Sequence, residues 1–245
     1  MEVISKDDIN INNICVGYSI SSIGPVYFDL QKNHGTLILG SKKGQIRNYM
    51  KVMNQELDIV ANKGTKVYFF DPDDSFKMEH YEKITYVEMA EIQNTINNLL
   101  IYINGENEKF INLENKSDYK APSRSLLVFY GVSQIYRLLS DKVTELLVDA
   151  FAKARELELF DFLMIDVVND FKEIQRHRTL TQMFVESNGV SISNAIDNQN
   201  TIDISSRDIR VKDALPDRQG YIIERGKAKL AQVLQFEGDE EEDDN

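Results

Sequence analysis

Short apolar runs alternate with stretches of helical period, and that alternation limits what this chain can fold into. Residues 26–30 (VYFDL), 36–40 (TLILG), 66–70 (KVYFF), 84–87, 125–131 (SLLVFYG) and 160–166 (FDFLMID) read as strands. Most are apolar on successive residues, the pattern of a strand covered on both faces. Between them lie three helical patterns. The first covers 45–62, with Ile46, Tyr49, Met50, Met53, Leu57 and Val60 at three- and four-residue spacing and Gly64 as its cap. The second puts Met89, Ile92, Ile96, Leu99, Leu100 and Ile103 on one face, and the third runs from Val143 to Leu157. Strands alternating with helices of about 15 residues predict an α/β fold with a mostly parallel central sheet and helices on both faces.

The strand at 36–40 runs through a glycine-containing loop into the first helix, the setting of a phosphate-binding P-loop, G-x-x-x-x-G-K-[ST]. Counted from Gly40, the loop reads Gly40, Ser41, Lys42, Lys43, Gly44, Gln45, Ile46, Arg47. Gln45 stands at the second glycine position, Ile46 at the phosphate-binding lysine and Arg47 at the magnesium-binding hydroxyl. The scaffold is kept and the side chains that hold phosphate and Mg are not. A partner motif requires an apolar strand ending in acid to hold that Mg. The strand at 125–129 is followed by Tyr130 and Gly131, while the next strand ends in Asp166. A full helix separates the two, so 125–129 is read as the partner strand, with Asp166 as the alternative. The loop leaves two readings open. One is residual nucleotide or anion binding by a helix N-terminus with Lys42, Lys43 and Arg47 nearby; the other is an inherited turn.

The remaining chemistry is sparse. The net charge is −12, and six of the negative charges fall between Asp239 and Asn245. A body this acidic is a poor general binder of nucleic acid, which needs clustered Lys and Arg. A single cysteine, Cys15, precludes an internal disulfide and reads as a small buried residue. No apolar run reaches the roughly 18 residues that cross a bilayer. His34, His80 and His177 lack metal-ligand spacing. Asp161, Asp166 and Asp170 read as solvated acids at strand and helix ends. No metal or catalytic residue is assigned. Residues 1–13 are expected as a flexible lead-in, 14–237 as one folded domain, 104–124 as irregular chain, and 238–245 as a disordered acidic tail.

Three stretches carry a resemblance. VGYSISSIGPVYFDLQKNHGTLILGS (16–41) resembles the segment leading into the nucleotide loop of FtsK/SpoIIIE-type ATPase domains. FVESNGVSISNAIDNQNTIDIS (184–205) and LPDRQGYIIERGKAKLAQV (215–233) resemble the end of the last ATPase module of type VII secretion motors of the EssC/EccC kind. The likeness implies a RecA-like P-loop NTPase fold and a C-terminal module, with degenerate Walker positions, of a longer membrane-anchored protein whose ATPase domains are cytoplasmic. It implies partners of four sorts: secreted effectors or small helical-hairpin substrates, adjacent modules of the same chain, other secretion subunits, and a hexameric full-length assembly. Nucleic acid is not expected, although FtsK-type relatives move DNA. No cofactor is required on this reading, weak binding of ATP with Mg being the alternative. Arg207 falls where such motors place residues near a neighbour's nucleotide, and a surface pairing with Asp203 or Asp208 is the plainer reading.

Overall fold

Six parallel strands form the centre because the apolar runs have no wet face. The computed structural model describes residues 5–33, 35–174, 188–198, 202, 204 and 215–234. In chain order the strands and helices are β1 (Ile14–Ser19), β2 (Gly24–Phe28), α1 (Leu30–Asn33), β3 (Gly35–Gly40), α2 (Lys43–Asn62), β4 (Lys66–Asp71), β5 (Ile84–Glu88), α3 (Met89–Asn112), β6 (Ser125–Tyr130), α4 (Val132–Leu138), α5 (Asp141–Glu156), β7 (Phe160–Val167), α6 (Val168–Phe171), β8 (Asn188–Ile192), β9 (Gln219–Glu224) and β10 (Lys227–Val233). They build one ten-stranded sheet in the order β2-β1-β10-β9-β8-β3-β7-β6-β4-β5. From β8 to β5 every pairing is parallel. Every residue of β3, β6 and β8 is buried. The expected α/β fold is therefore present, and β9, β10, β1 and β2 extend it as an antiparallel wing.

Two apolar cores lie on the two faces. One holds the α2 stripe with the inward residues of β1 and β3, and the other holds α3, α4 and α5. Phe70 stacks on Phe129 at 4.6 Å between ring centres, knitting β4 to β6 on the second face.

Several details depart from the sequence reading. Helix α2 begins at Lys43 rather than 45, and α3 continues to Asn112 through the stretch expected to be irregular. That extension is held by Glu106, which accepts from Tyr119 Oη (3.0 Å) and Lys109 Nζ (2.6 Å), and by Phe110 edge-on to Tyr119. Met89, expected on the buried face, is 55% exposed. Residues 5–13, expected as a flexible lead-in, carry a bridge between Asn10 and Asn13 and a buried Ile9. Lys63 Nζ binds the carbonyls of Lys6, Asp7 and Ile9 at 2.7–3.2 Å. The acidic tail, Arg207, His34 and His177 lie outside the described residues.

The antiparallel wing is fastened to α2 by polar groups. Cys15 N donates to Glu56 Oε2 at 2.7 Å, and Tyr49 Oη donates to the Val16 carbonyl at 3.1 Å. Burial raises the Glu56 carboxyl to about 7, the Cys15 amide pulling the other way. A carboxyl raised in the folded state is protonated there while the unfolded chain has already ionised. Its contribution is thus most favourable at low pH and is lost as pH rises toward 7. Glu56→Gln removes this dependence. Urea unfolding of the variant should gain about 2–3 kcal/mol on the parent between pH 5 and pH 8. Parallel pH profiles would contradict the assignment.

Candidate functional site

The loop sits at the carboxyl end of the parallel strands, where open α/β sheets bind ligands. Strand β3 ends at Gly40, paired with Val167, and Leu39 pairs with Asp166. One strand further, Tyr130 pairs with Ile165, and Gly131 N donates to the Ile165 carbonyl at 2.9 Å. Gly40, Tyr130, Gly131 and Asp166 therefore share one rim. Strand β7, carrying Asp166, lies between β3 and β6. A cavity of about 100 Å³ opens there, lined by Lys43, Ile46, Tyr130, Gln134, Arg137 and Asp166 among others.

The loop itself is short. Only Ser41 and Lys42 separate β3 from α2, and Gly44 already lies in the first helical turn. Ile46 is 2% exposed, at the head of the stripe continued by Tyr49, Met50, Met53 and Leu57. Its Cγ1 stands 2.5 Å from where a Cβ on residue 40 would lie, so any larger residue there would force Ile46 to move. The position of a phosphate-binding lysine is thus part of the core. Gln45 at the second glycine position reaches back across the helix start: its Oε1 accepts from Lys42 N at 3.1 Å, and its Nε2 donates to Asp217 Oδ1 at 2.5 Å. That places a carboxylate of the chain itself at the positive end of α2. Lys43 is paired with Asp73, in the turn after β4. Arg47 is half-buried near Tyr130, whose ionisation it favours.

The acidic rim is also occupied. Tyr130 packs edge-on to Phe76 at 5.0 Å, and burial holds its phenol far above its ordinary range. Gly131 adopts φ +71, a left-handed conformation, and starts α4. Asp166 accepts from Ser133 N at 2.7 Å, from Ser133 Oγ and from Val167 N at 2.8 Å. Burial raises its carboxyl to about 6 against those donors. Its Oδ2 fastens the start of α4, and its Oδ1 holds the end of its own strand. Asp161, at the opposite end of β7, pairs with Arg124 at 3.5 Å, while Asp170 lines the cavity with Asp166. Asp161 and Asp166 are buried, not the solvated acids that the sequence suggested. Among the described residues no group of three His, Cys, Asp or Glu is placed to hold a metal. Sequence reasoning missed Asp73, Asp217, Gln134 and Arg137. Asp217 lies 172 residues from its partner Gln45, and no local pattern signals such a contact.

Known structures share this architecture. The cytoplasmic domain of EssC superposes with a TM-score of 0.69 at 17% identity, over 91% of this chain and 44% of that one. Thermomonospora curvata EccC (ATPases 2 and 3), solved in complex with a signal sequence peptide, gives 0.68 at 17% identity, over 96% and 42%. The pCW3 conjugation coupling protein TcpA, solved with ATPγS, gives 0.61 at 18% identity, over 96% and 71%. This chain has the fold of the EssC/EccC ATPase domains. It spans less than half the length of the EssC and EccC chains it matches. No protein-family model matches it, and no curated protein matches it by sequence.

The seam between Ile46 and Gly40 generates a stability prediction. Ile46→Ala should cost about 2–4 kcal/mol in urea unfolding, as for other buried large-to-small changes. Gly40→Ala should cost about 1–3 kcal/mol by overpacking. A loss below about 0.5 kcal/mol for both would mean the seam is slack.

Proposed function

We propose that this chain is a module of a type VII protein-secretion motor of the EssC/EccC kind, contributing contacts to exported proteins and neighbouring modules rather than ATP turnover. The observation that carries this reading is Ile46, buried over Gly40 where a phosphate-binding lysine would stand. A lysine there compensates charge built up during phosphoryl transfer, and an isoleucine cannot. The internal partners of Lys43 and Gln45 add to it, because a phosphate would have to displace Asp73 and Asp217. The fold likeness to EccC supplies the setting, and the signal sequence peptide bound by that protein supports a peptide role here.

An apolar cavity of about 40 Å³ under α4 and α5, lined by Phe129, Ile135, Leu139, Leu147 and Phe151, is the proposed seat for an apolar anchor of such a peptide. It must widen to accept a full side chain. Membrane anchoring, a hexameric assembly and the other secretion subunits belong, on this reading, to the longer motor. Among the described residues no helix is long and apolar enough to cross a membrane. The rival reading is a nucleotide-dependent module, favoured by Lys43 and Arg137, which line the 100 Å³ cavity. The likeness to TcpA raises DNA movement, which the net charge of −12 disfavours.

Two experiments separate these readings. The isolated chain should hydrolyse ATP no faster than background; turnover near ~1 per second, abolished by Asp166→Ala, would overturn the proposal. In the full-length motor, Leu139→Ser with Leu147→Ser should cut export at least ~10-fold, as expected for truncated contact anchors. Lys42, Lys43 and Arg47 changed together to Ala should leave export within about 2-fold. The reverse result, with both proteins folded by circular dichroism, makes the module nucleotide-dependent.

A further inference from the structure

A second site lies at the other end of the sheet, independent of the reading above. Strand β8, parallel to β3, begins there at Asn188, and the turn from β9 to β10 closes the same rim. Between this rim and α1 is a cleft of about 420 Å³. Four cations line it: Lys32 from α1, Arg225 from the turn, and Lys227 and Lys229 from β10. The two acids present are already engaged. Asp29 Oδ1 accepts from the amides of Gln31 (3.0 Å) and Lys32 (3.1 Å), and Glu224 lies 3.7 Å from Lys229. Among the described residues Lys32, Arg225 and Lys227 have no carboxylate partner.

Arg225 adds an independent observation. It is exposed at the tip of a two-residue hairpin turn, with φ +49 followed by Gly226 at φ +74. Turns of that hand favour Asn, Asp or Gly at the first position, and a long side chain there costs on the order of 1 kcal/mol. Backbone strain of this kind concentrates where a side chain is used.

We propose that this cleft binds the chain's own acidic run, residues 237–244. The cations come from three separate elements around a space much larger than one phosphate. Such a spread matches several carboxylates along an extended chain better than one compact anion. An acidic run of this type exists in the chain itself: seven Asp and Glu fall between Glu237 and Asp244. Strand β10 carries the chain from Lys227 to Val233 at the opposite rim, a rise of about 23 Å, and the eleven residues after Leu234 can span at most about 39 Å. The run is therefore long enough to reach the cleft.

Fluorescence anisotropy with a labelled synthetic peptide of residues 236–245 tests this on the full chain. The triple variant K32Q/K227Q/K229Q should weaken peptide binding at least ~10-fold, and 0.5 M salt should do likewise. R225N should weaken it about 3-fold while raising the melting temperature, which separates loss of contact from loss of fold. A variant with the acids of 237–244 changed to Asn and Gln tests the occupant. It should take up added peptide at least ~5-fold more tightly than the parent, because its own run no longer competes; equal affinity would overturn the assignment. The proposal is likewise overturned by no saturable binding to either form, by binding that the triple variant leaves unchanged, or by displacement of the peptide by inorganic phosphate below about 1 mM.

Discussion

The contact between Ile46 and Gly40 is the constraint on which the structure turns. Helix α2 must return across β3 after only two connecting residues, and its first buried side chain lands on the last residue of the strand. That contact fixes the helix register. Tyr49, Met50, Met53, Leu57 and Val60 then fall into the same core, and Tyr49 and Glu56 are aimed at β1. The antiparallel wing thus hangs on the helix that follows the loop. In a phosphate-binding loop the same residue would be a cation directed at a ligand. Here it is an apolar side chain directed at the protein, and the burial of one isoleucine stabilises by about 1.5–3 kcal/mol.

The same exchange of ligand for protein recurs around the rim. Lys43 meets Asp73, Gln45 meets Asp217, and Asp166 meets the amide and hydroxyl of Ser133. Lys43, Gln45 and Asp166 thus have partners in the fold, whereas Arg47 Nε is buried without a hydrogen-bond partner among the described residues. Buried and half-buried polar groups are costly when left unpaired, so a site without its ligand is stable only if the chain supplies substitutes. At the opposite rim the balance is reversed: Lys32, Arg225 and Lys227 face open space without carboxylate partners among the described residues.

Much of the fold was legible because parallel strands buried on both faces leave unbroken apolar runs. SLLVFY and FDFLMIDV declare themselves as strands, and the stripe from Ile46 to Val60 declares α2. Strand β1, ICVGYS, did not, because a cysteine, a glycine and two polar residues blur its pattern. The extension of α3 was hidden by Asn104, Gly105 and a run of polar residues, and it exists because Glu106 and Phe110 find Tyr119. Helix α4 was missed because it is 7 residues long and begins directly after a glycine that looked like the end of a strand. In the site, the missing lysine at position 46 was readable by counting. The partners that fill the rim were not, since Asp217 and Ser133 arrive through tertiary contacts of long sequence separation.

The loop is closed by the protein's own side chains, and isothermal titration of the full chain with MgATPγS is the sharpest test of that closure. No saturable heat corresponding to a Kd below about 1 mM is expected. A Kd in the range of about 1–10 µM, lost on Lys43→Ala in a chain of unchanged melting temperature, would show that the rim opens to nucleotide and would contradict it.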